Sequence, residues 1–153
     1  MAYLTIPSPI CDLTLFEENG KLVSLDWGAV DDGEETPLLL EAARQIDAYF
    51  EGRLKDFDLP LDPPGSDFQK NVWRIMQEIP YGRILRYGDI SNRLKSSPRA
   101  VGGACGRNPL PIIIPCHRVI AGNGALTGYS GFGGTDTKKY LLALEGFDLT
   151  KGQ

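Results

Sequence analysis

The stretch "IIIPCHRVIAG", residues 112 to 122, sets Cys116 and His117 side by side, and His117 is the only histidine among the 153 residues. A thiol attacks an electrophile as its thiolate, and an imidazole that takes the proton, itself oriented by a carboxylate, is the usual way to make it reactive. Neighbouring side chains of a regular strand point to opposite faces, so Cys116 and His117 can cooperate only if Pro115 starts a turn or a helical bend. A carboxylate is available at Glu145. The run "TDTKKYLLALEGFD" spaces Tyr140, Leu141 and Leu144 helically with Gly146 as a C-cap, which puts Glu145 at the C-terminal end of the last helix. A negative charge is disfavoured there by the helix dipole, which hints at a purpose.

Two plainer readings compete with this one. A buried structural cysteine beside a polar loop is the commoner fate of a cysteine in a globular domain. A Cys-His-acid set also suits a cysteine protease or an acyltransferase, although those draw their histidine from a distant part of the chain. The three cysteines, Cys11, Cys105 and Cys116, form an odd count without CxxC spacing, so neither a disulfide scaffold nor a zinc knuckle is expected. With one histidine a metal site is short of ligands, and no metal or cofactor is expected. Cys105 reads as a small core residue.

The elements that must position these residues follow from hydrophobic period and turn chemistry. Residues 3 to 28 alternate apolar and polar around Asn19-Gly20, the signature of a β-hairpin with a tight turn. Residues 37 to 51 predict a helix with Leu40, Ala43, Ile46, Ala48 and Phe50 near one side. "DLPLDPPGSD", residues 58 to 67, reads as a linker between an N-terminal β/α domain over 1–62 and a second domain over 66–153. Ser66 and Gln69 have capping-box spacing ahead of Phe68, Val72, Ile75, Met76 and Ile79, predicting a helix to about residue 78. A short helix from Asp89 to Lys95 and another opened by Ser97-Pro98 and stopped by Asn108-Pro109 outline a helix-turn-helix. The isoleucines before Pro115 read as a strand.

Composition is that of an ordinary globular chain, with 42% apolar and 24% charged residues, and nothing opens like a signal peptide or reaches membrane-spanning length. A soluble, cytoplasmic protein is expected. The net charge of −4 is unevenly spread: residues 1–65 hold 4 Lys and Arg against 14 Asp and Glu, whereas residues 66–118 hold 9 against 3. The middle of the chain is therefore a basic block inside an acidic protein, which is either a solvated face or a nucleic-acid surface. Within it, "PRAVGGACGR" carries Gly102, Gly103 and Gly106, each costing about 0.8–1 kcal/mol against alanine in a helix. Such a loss is reasonable where another helix packs closely or where an external partner must approach.

The runs "SDFQKNVWRIMQEIPYGRILRYGDI", "RAVGGACGRN", "NPLPIIIPCHRVI" and "TGYSGFGG…KKYLLALEG", in this order, resemble the O6-alkylguanine-DNA alkyltransferase family over about residues 66 to 147. The preceding residues are similar in kind to its variable N-terminal domain. The resemblance implies an α/β (α+β) chain, with a small ribonuclease H-like sheet and helix followed by a mostly helical domain with a winged-helix-like helix-turn-helix. It implies single-turnover transfer of an alkyl group from O6 of guanine, and O4 of thymine, in double-stranded DNA to Cys116. In that scheme His117 takes the thiol proton through a water, Glu145 orients the imidazole, and Tyr87 crowds the 3′ phosphate and bonds the flipped base. Arg99 fills the space the base leaves, while Ala100, Gly102 and Gly103 allow close approach to the minor groove. Asn108 is the hinge, and Val119, Tyr129, Ser130 and Gly131 shape the guanine pocket. Arg86, Arg93, Lys95 and Arg107 are candidates for phosphate contacts. The resemblance further implies a monomer on DNA, with cooperativity open, and no membrane partner. Its departures are the absence of the N-terminal ligands that hold zinc in some members and a longer 129–139 segment. A non-enzymatic relative that only binds alkylated DNA is the nearest rival, and such relatives lack the acceptor that Cys116 supplies.

Overall fold

A computed structural model describes residues 1–30, 33–125 and 133–147. The chain divides into two compact units, Met1–Pro64 and Gly65–Gln153. In the first, strands β1 (Ala2–Ile6), β2 (Leu13–Glu18) and β3 (Lys21–Trp27) form an antiparallel sheet in the order β1-β2-β3. Asn19 and Gly20 both take positive φ, 54° and 76°, the backbone that matches a two-residue hairpin to the twist of its strands. The expected hairpin is thus β2 and β3. Leu13 and Leu15 alternate onto one face, where they meet Leu22 and Leu25 from β3 and the helix α1 (Pro37–Phe50).

The start of α1 is set by Thr36, whose hydroxyl accepts from the Leu39 amide at 3.1 Å, and by Pro37 in the first turn. Its buried stripe is Leu39, Ala42, Gln45, Ile46 and Tyr49, whereas Leu40 is 47% exposed. Of the face expected from sequence, Ile46 and Ala48 are buried, Ala43 and Phe50 are half-buried and Leu40 is exposed, so the core face is centred about one residue away. Gln45 lies on that face and bonds the Asp58 backbone through both its amide atoms, which fixes it inward. The segment expected to be a linker is also tied down in part. The side chain of Gln45 brackets the Asp58 backbone, and Leu22 exchanges hydrogen bonds with Pro60 and Asp62 as a parallel bridge on the β3 edge.

In the second unit, α2 (Asp67–Gln77) begins with the expected capping box: Gln69 N donates to Ser66 Oγ at 3.1 Å and Ser66 N to Gln69 Oε1 at 2.9 Å. The helix-turn-helix is α3 (Tyr87–Leu94) and α4 (Pro98–Gly106), joined through Lys95 in the left-handed region, φ 54°, and capped anew by Ser97. Helix α3 starts two residues before the expected Asp89, because Asp89 works from its third position, accepting from the Arg86 amide at 2.8 Å. Trp73 on α2, 1% exposed, donates its indole N–H to the Ala104 carbonyl on α4 at 2.9 Å. This bond holds one side of α4 to the core and leaves the opposite side open.

The isoleucine run is not a strand. Residues 111–114 form turns, with Ile112 at φ 74° and the Ile114 amide donating to the Leu110 carbonyl at 2.8 Å. A strand would send alternate isoleucines to opposite faces, yet Ile112, Ile113 and Ile114 are all buried. The turn lets each point inward, and Asn108 supplies the bonds a sheet would have made. Its amide nitrogen donates to the Ile114 carbonyl at 2.8 Å, and its oxygen accepts from the Leu110 amide at 2.9 Å. The chain continues through a 3-10 turn, Cys116–Arg118, into β5 (Val119–Ile120), which pairs in parallel with β4 (Leu85–Arg86). Helix α5 (Thr135–Leu144) closes the unit.

Trp73→Phe preserves most of the buried ring while removing the indole bond to the Ala104 carbonyl, which keeps only the Arg107 amide at 3.2 Å, so it should lower stability by about 0.5–1.5 kcal/mol in urea denaturation followed by circular dichroism. A loss below about 0.5 kcal/mol would mean that the indole bond does not anchor α4.

Candidate active site

Pro115 has φ −81° and ψ 70°, a tight local turn in which the Cys116 amide donates to the Ile114 carbonyl at 2.8 Å. From there the 3-10 turn fans Cys116, His117 and Arg118 at about 120° intervals, so the two reactive side chains are not driven to opposite faces as in a strand. Pairing of Leu85 with Val119 and of Arg86 with Ile120 ties this turn's exit to the segment before α3. Cys116, His117, Arg118 and Glu145 are all buried.

Glu145 reaches the site because of how α5 ends. Gly146 takes φ 84°, its amide donates to the Ala143 carbonyl at 3.0 Å, and the Phe147 amide donates back to Leu142 at 2.9 Å. This double closure fixes the direction of the Glu145 side chain. The turn at residues 80–83 lies against the helix end, with Gly82 at φ 80° and only 3.2 Å between a would-be Cβ and the Glu145 carbonyl. Tyr81 donates its hydroxyl to the Leu144 carbonyl at 3.2 Å.

The Glu145 carboxylate then serves two neighbours. Its Oε2 lies 2.7 Å from His117 Nε2, and it accepts from Arg118 through Nε at 2.8 Å and Nη2 at 3.0 Å. Arg118 also donates Nη1 to the Ile79 carbonyl at 2.6 Å and lies over the Tyr81 ring, 5.7 Å from its centroid. With Arg118 donating to it, the carboxylate accepts from His117 as well, which leaves Nδ1 as the imidazole's lone-pair nitrogen. That nitrogen is buried and has no hydrogen-bond partner among the described residues.

Burial sets the protonation of the pair. It pushes the Cys116 thiol up, against a lowering by a hydrogen bond from Asn108 and by the Lys138 cation. It pulls His117 down, against the raising influence of Glu145. The resting site thus holds a neutral thiol beside a neutral imidazole. Lys138 is fully buried on α5, 5.8 Å from the centroid of the Tyr87 ring, and burial brings its ammonium down to about 8. Cys105 is buried, its sulfur 3.5 Å from that of Met76, and desolvation pushes its thiol to about 12. It is an unreactive core residue.

Of the residues singled out from sequence, the fold brings together His117 and Glu145 by direct bond, sets the Asn108 amide where it favours the Cys116 thiolate, and places Tyr87 beside Lys138, whose charge also acts on Cys116. Val119 is buried at the start of β5. Arg99 and Ala100 are exposed on α4, and a Cβ placed at Gly102 or Gly103 would meet nothing within 4 Å. Packing against another helix therefore does not explain these glycines among the described residues. Tyr129, Ser130 and Gly131 lie outside the described residues. Two of the phosphate candidates have other partners: Arg86 donates to the Ala121 and Gly122 carbonyls at 2.9 Å, and Arg93 pairs with Glu78 at 3.0 Å.

Arg118 and Lys138 received no role from sequence. A signal for Lys138 existed, since Lys138, Leu141, Leu142 and Glu145 share one helical stripe and all are buried. A lysine at that spacing normally reads as a solvated edge, which is why it passes unnoticed.

The chain was compared with known families and structures. Residues 1–63 match the model of the 6-O-methylguanine DNA methyltransferase ribonuclease-like domain, and residues 67–147 match that of the 6-O-methylguanine DNA methyltransferase DNA binding domain. The chain is 46% identical to a methylated-DNA–protein-cysteine methyltransferase of Methanosarcina acetivorans, over 95% of this chain and 99% of that protein. It is 42% identical to the constitutive enzyme of that name from Bacillus subtilis, over 94% of each. The crystal structure of Mycobacterium tuberculosis O6-methylguanine methyltransferase superposes with a TM-score of 0.82 at 41% identity, covering 99% of both chains. A crystal structure of Mycobacterium tuberculosis OGT in complex with DNA gives 0.82 at 43%, covering 94% of this chain and 91% of that one. The two domain models between them span nearly the whole chain, each falling within one of its two compact units, and the chain belongs to the 6-O-methylguanine DNA methyltransferase family.

Proposed function

We propose that this protein repairs DNA by moving an alkyl group from O6 of guanine onto the Cys116 sulfur, once per molecule. The observation that carries the reading is His117, next in the chain to Cys116, held by Glu145 through Nε2 and keeping a buried Nδ1 that has no hydrogen-bond partner among the described residues. The thiol proton passes to Nδ1 through a water as sulfur attacks the alkyl carbon. The S–C bond forms as the C–O bond breaks, and its electron pair leaves on the guanine, which takes a proton and departs neutral. Tyr87, at the start of α3, is the donor to the leaving base. The thioether has no easy route back, so turnover stops.

Electrostatics couple this chemistry to substrate arrival. A buried neutral thiol is a poor nucleophile, and Lys138 and Asn108 favour its thiolate without ionising it at rest. The target carbon lies inside a base stack, so the nucleotide must be rotated out, at a cost of a few kcal/mol. The open face of α4 supports a minor-groove approach, with Arg99 as the side chain that replaces the base and Asn108 as the hinge to the acceptor turn. Val119, buried at the start of β5, is the base-pocket candidate among the described residues. Lys95 and Arg107, exposed at the ends of α3 and α4, are the remaining phosphate candidates. No helix among the described residues is long and apolar enough to cross a membrane. The need for a reduced Cys116 supports a reducing, cytoplasmic setting, and we assign the protein as a monomer on DNA.

Intact-mass analysis after mixing with a duplex carrying O6-methylguanine should find one added methyl on the peptide holding Cys116 and none in Cys116→Ser. Unmodified protein beside an intact lesion would overturn the reading. Gly103→Ala should stabilise α4 by about 0.5–1 kcal/mol while weakening duplex binding, since its methyl meets nothing in the chain but would face DNA. Unchanged DNA affinity in that variant would remove α4 from the interface. In a Cys11→Ser, Cys105→Ala background, Lys138→Met should raise the Cys116 midpoint by about one pH unit, read by thiolate absorbance, and slow transfer about tenfold near neutral pH. An unmoved midpoint would show that the ammonium does not act on the thiol.

A further inference from the structure

Arg118 adjoins the reacting pair without touching the thiol, and its contacts are more constrained than a structural ion pair requires. Three of its N–H groups are directed at two partners, the Glu145 carboxylate and the Ile79 carbonyl, while Tyr81 covers the guanidinium plane. Glu145 Oε2 receives both Arg118 Nη2 and His117 Nε2. We propose that Arg118 is a positioning residue that keeps His117 in the tautomer with Nδ1 unprotonated, so that the imidazole can accept the thiol proton. The proposal rests on Cys116 being the alkyl acceptor.

Charge and proton count decide the tautomer. A buried carboxylate without a counter-cation is costly, and it relieves that cost by binding a proton or by drawing a charged partner. Beside His117 the first route gives a carboxylic acid that donates to Nε2, which forces the ring's hydrogen onto Nδ1. The second gives an imidazolium, which also carries a hydrogen on Nδ1. Either outcome removes the lone pair the thiol needs. Arg118 closes both routes, because its bidentate bonds neutralise the carboxylate and leave Nε2–H as the only hydrogen on the ring. The remaining charged or titratable neighbours do not replace it. Lys138 adds a further positive charge near His117 but has no planar fork with which to hold both Glu145 oxygens, and Tyr81 faces Glu145 with a neutral hydroxyl already donated to Leu144. Burial lowers His117 while Glu145 raises it, and Arg118 sides with burial.

Because the chain has one histidine, a long-range proton–nitrogen spectrum of histidine-labelled protein reports His117 directly. Wild type should show Nε2 protonated and Nδ1 bare from about pH 6 to 9. Arg118→Met should move a proton onto Nδ1 near neutral pH and slow methyl transfer at saturating DNA by about 100-fold or more, with affinity for unmodified duplex within about twofold. Arg118→Lys, which restores the charge without the fork, should keep Nδ1 bare and recover part of the rate. A protonated Nδ1 in wild type overturns the proposal without any variant. So does a folded Arg118→Met with the wild-type nitrogen pattern, or, should that variant not fold, a protonated Nδ1 in Arg118→Lys. Wild type that leaves Cys116 unmethylated would instead overturn the acceptor reading, while the spectrum still tests Arg118.

Discussion

Glu145 is a carboxylate with no access to water, and the second unit is arranged so that it is never alone. Removing one partner of such a buried pair typically costs about 3–5 kcal/mol, so the position of the helix that carries it is tightly constrained. That constraint explains features far apart in sequence. The Gly146 closure aims the side chain, Gly82 lets the preceding turn pass within contact distance of the helix end, and Tyr81 bonds the last helical carbonyl. The Ile79 carbonyl then completes the set around Arg118, so the end of α2, the turn after it, the acceptor turn and α5 converge on one carboxylate.

A site built around a buried charge pair has an electrostatic consequence for the thiol. Cys116 sits where desolvation favours its protonated form, and the groups that favour the thiolate are a neutral amide and an ammonium itself weakened by burial. Such a site holds its reactivity in reserve. In the proposed single transfer, a resting thiol protects against loss to adventitious electrophiles, and His117 stands ready to take the proton when the substrate arrives.

Helix α4 shows a complementary economy of side chains. Trp73 attaches α4 to the core through Ala104, and Val101 and Cys105 bury the same side. The opposite side keeps Arg99 and Ala100 exposed and glycine at 102 and 103, where a side chain would have had room. Helix stability is given up on a face where no described residue crowds the glycines.

Local chemistry made much of this legible in advance. The Asn19-Gly20 hairpin, the Ser66 and Gln69 capping box, the Ser97-Pro98 start and the Gly146 stop are each decided by neighbouring residues, and so they read correctly from sequence. The adjacency of Cys116 and His117, with Glu145 at a helix end, was likewise open to inspection. Features governed by distant partners were not. The core face of α1 includes Gln45, which the distant Asp58 backbone holds inward, and the isoleucine run became turns because its side chains had to point one way and Asn108 could replace a sheet's bonds. Arg118 carried no local signal and Lys138 only its place on a helical stripe, since a cation reads as solvated until folding encloses it. The sequence by itself determined the adjacency of Cys116 and His117, the carboxylate at a helix end and the helix-turn-helix. Tertiary structure alone decided how their charges are balanced, because pairing and desolvation depend on distances that only the folded chain sets.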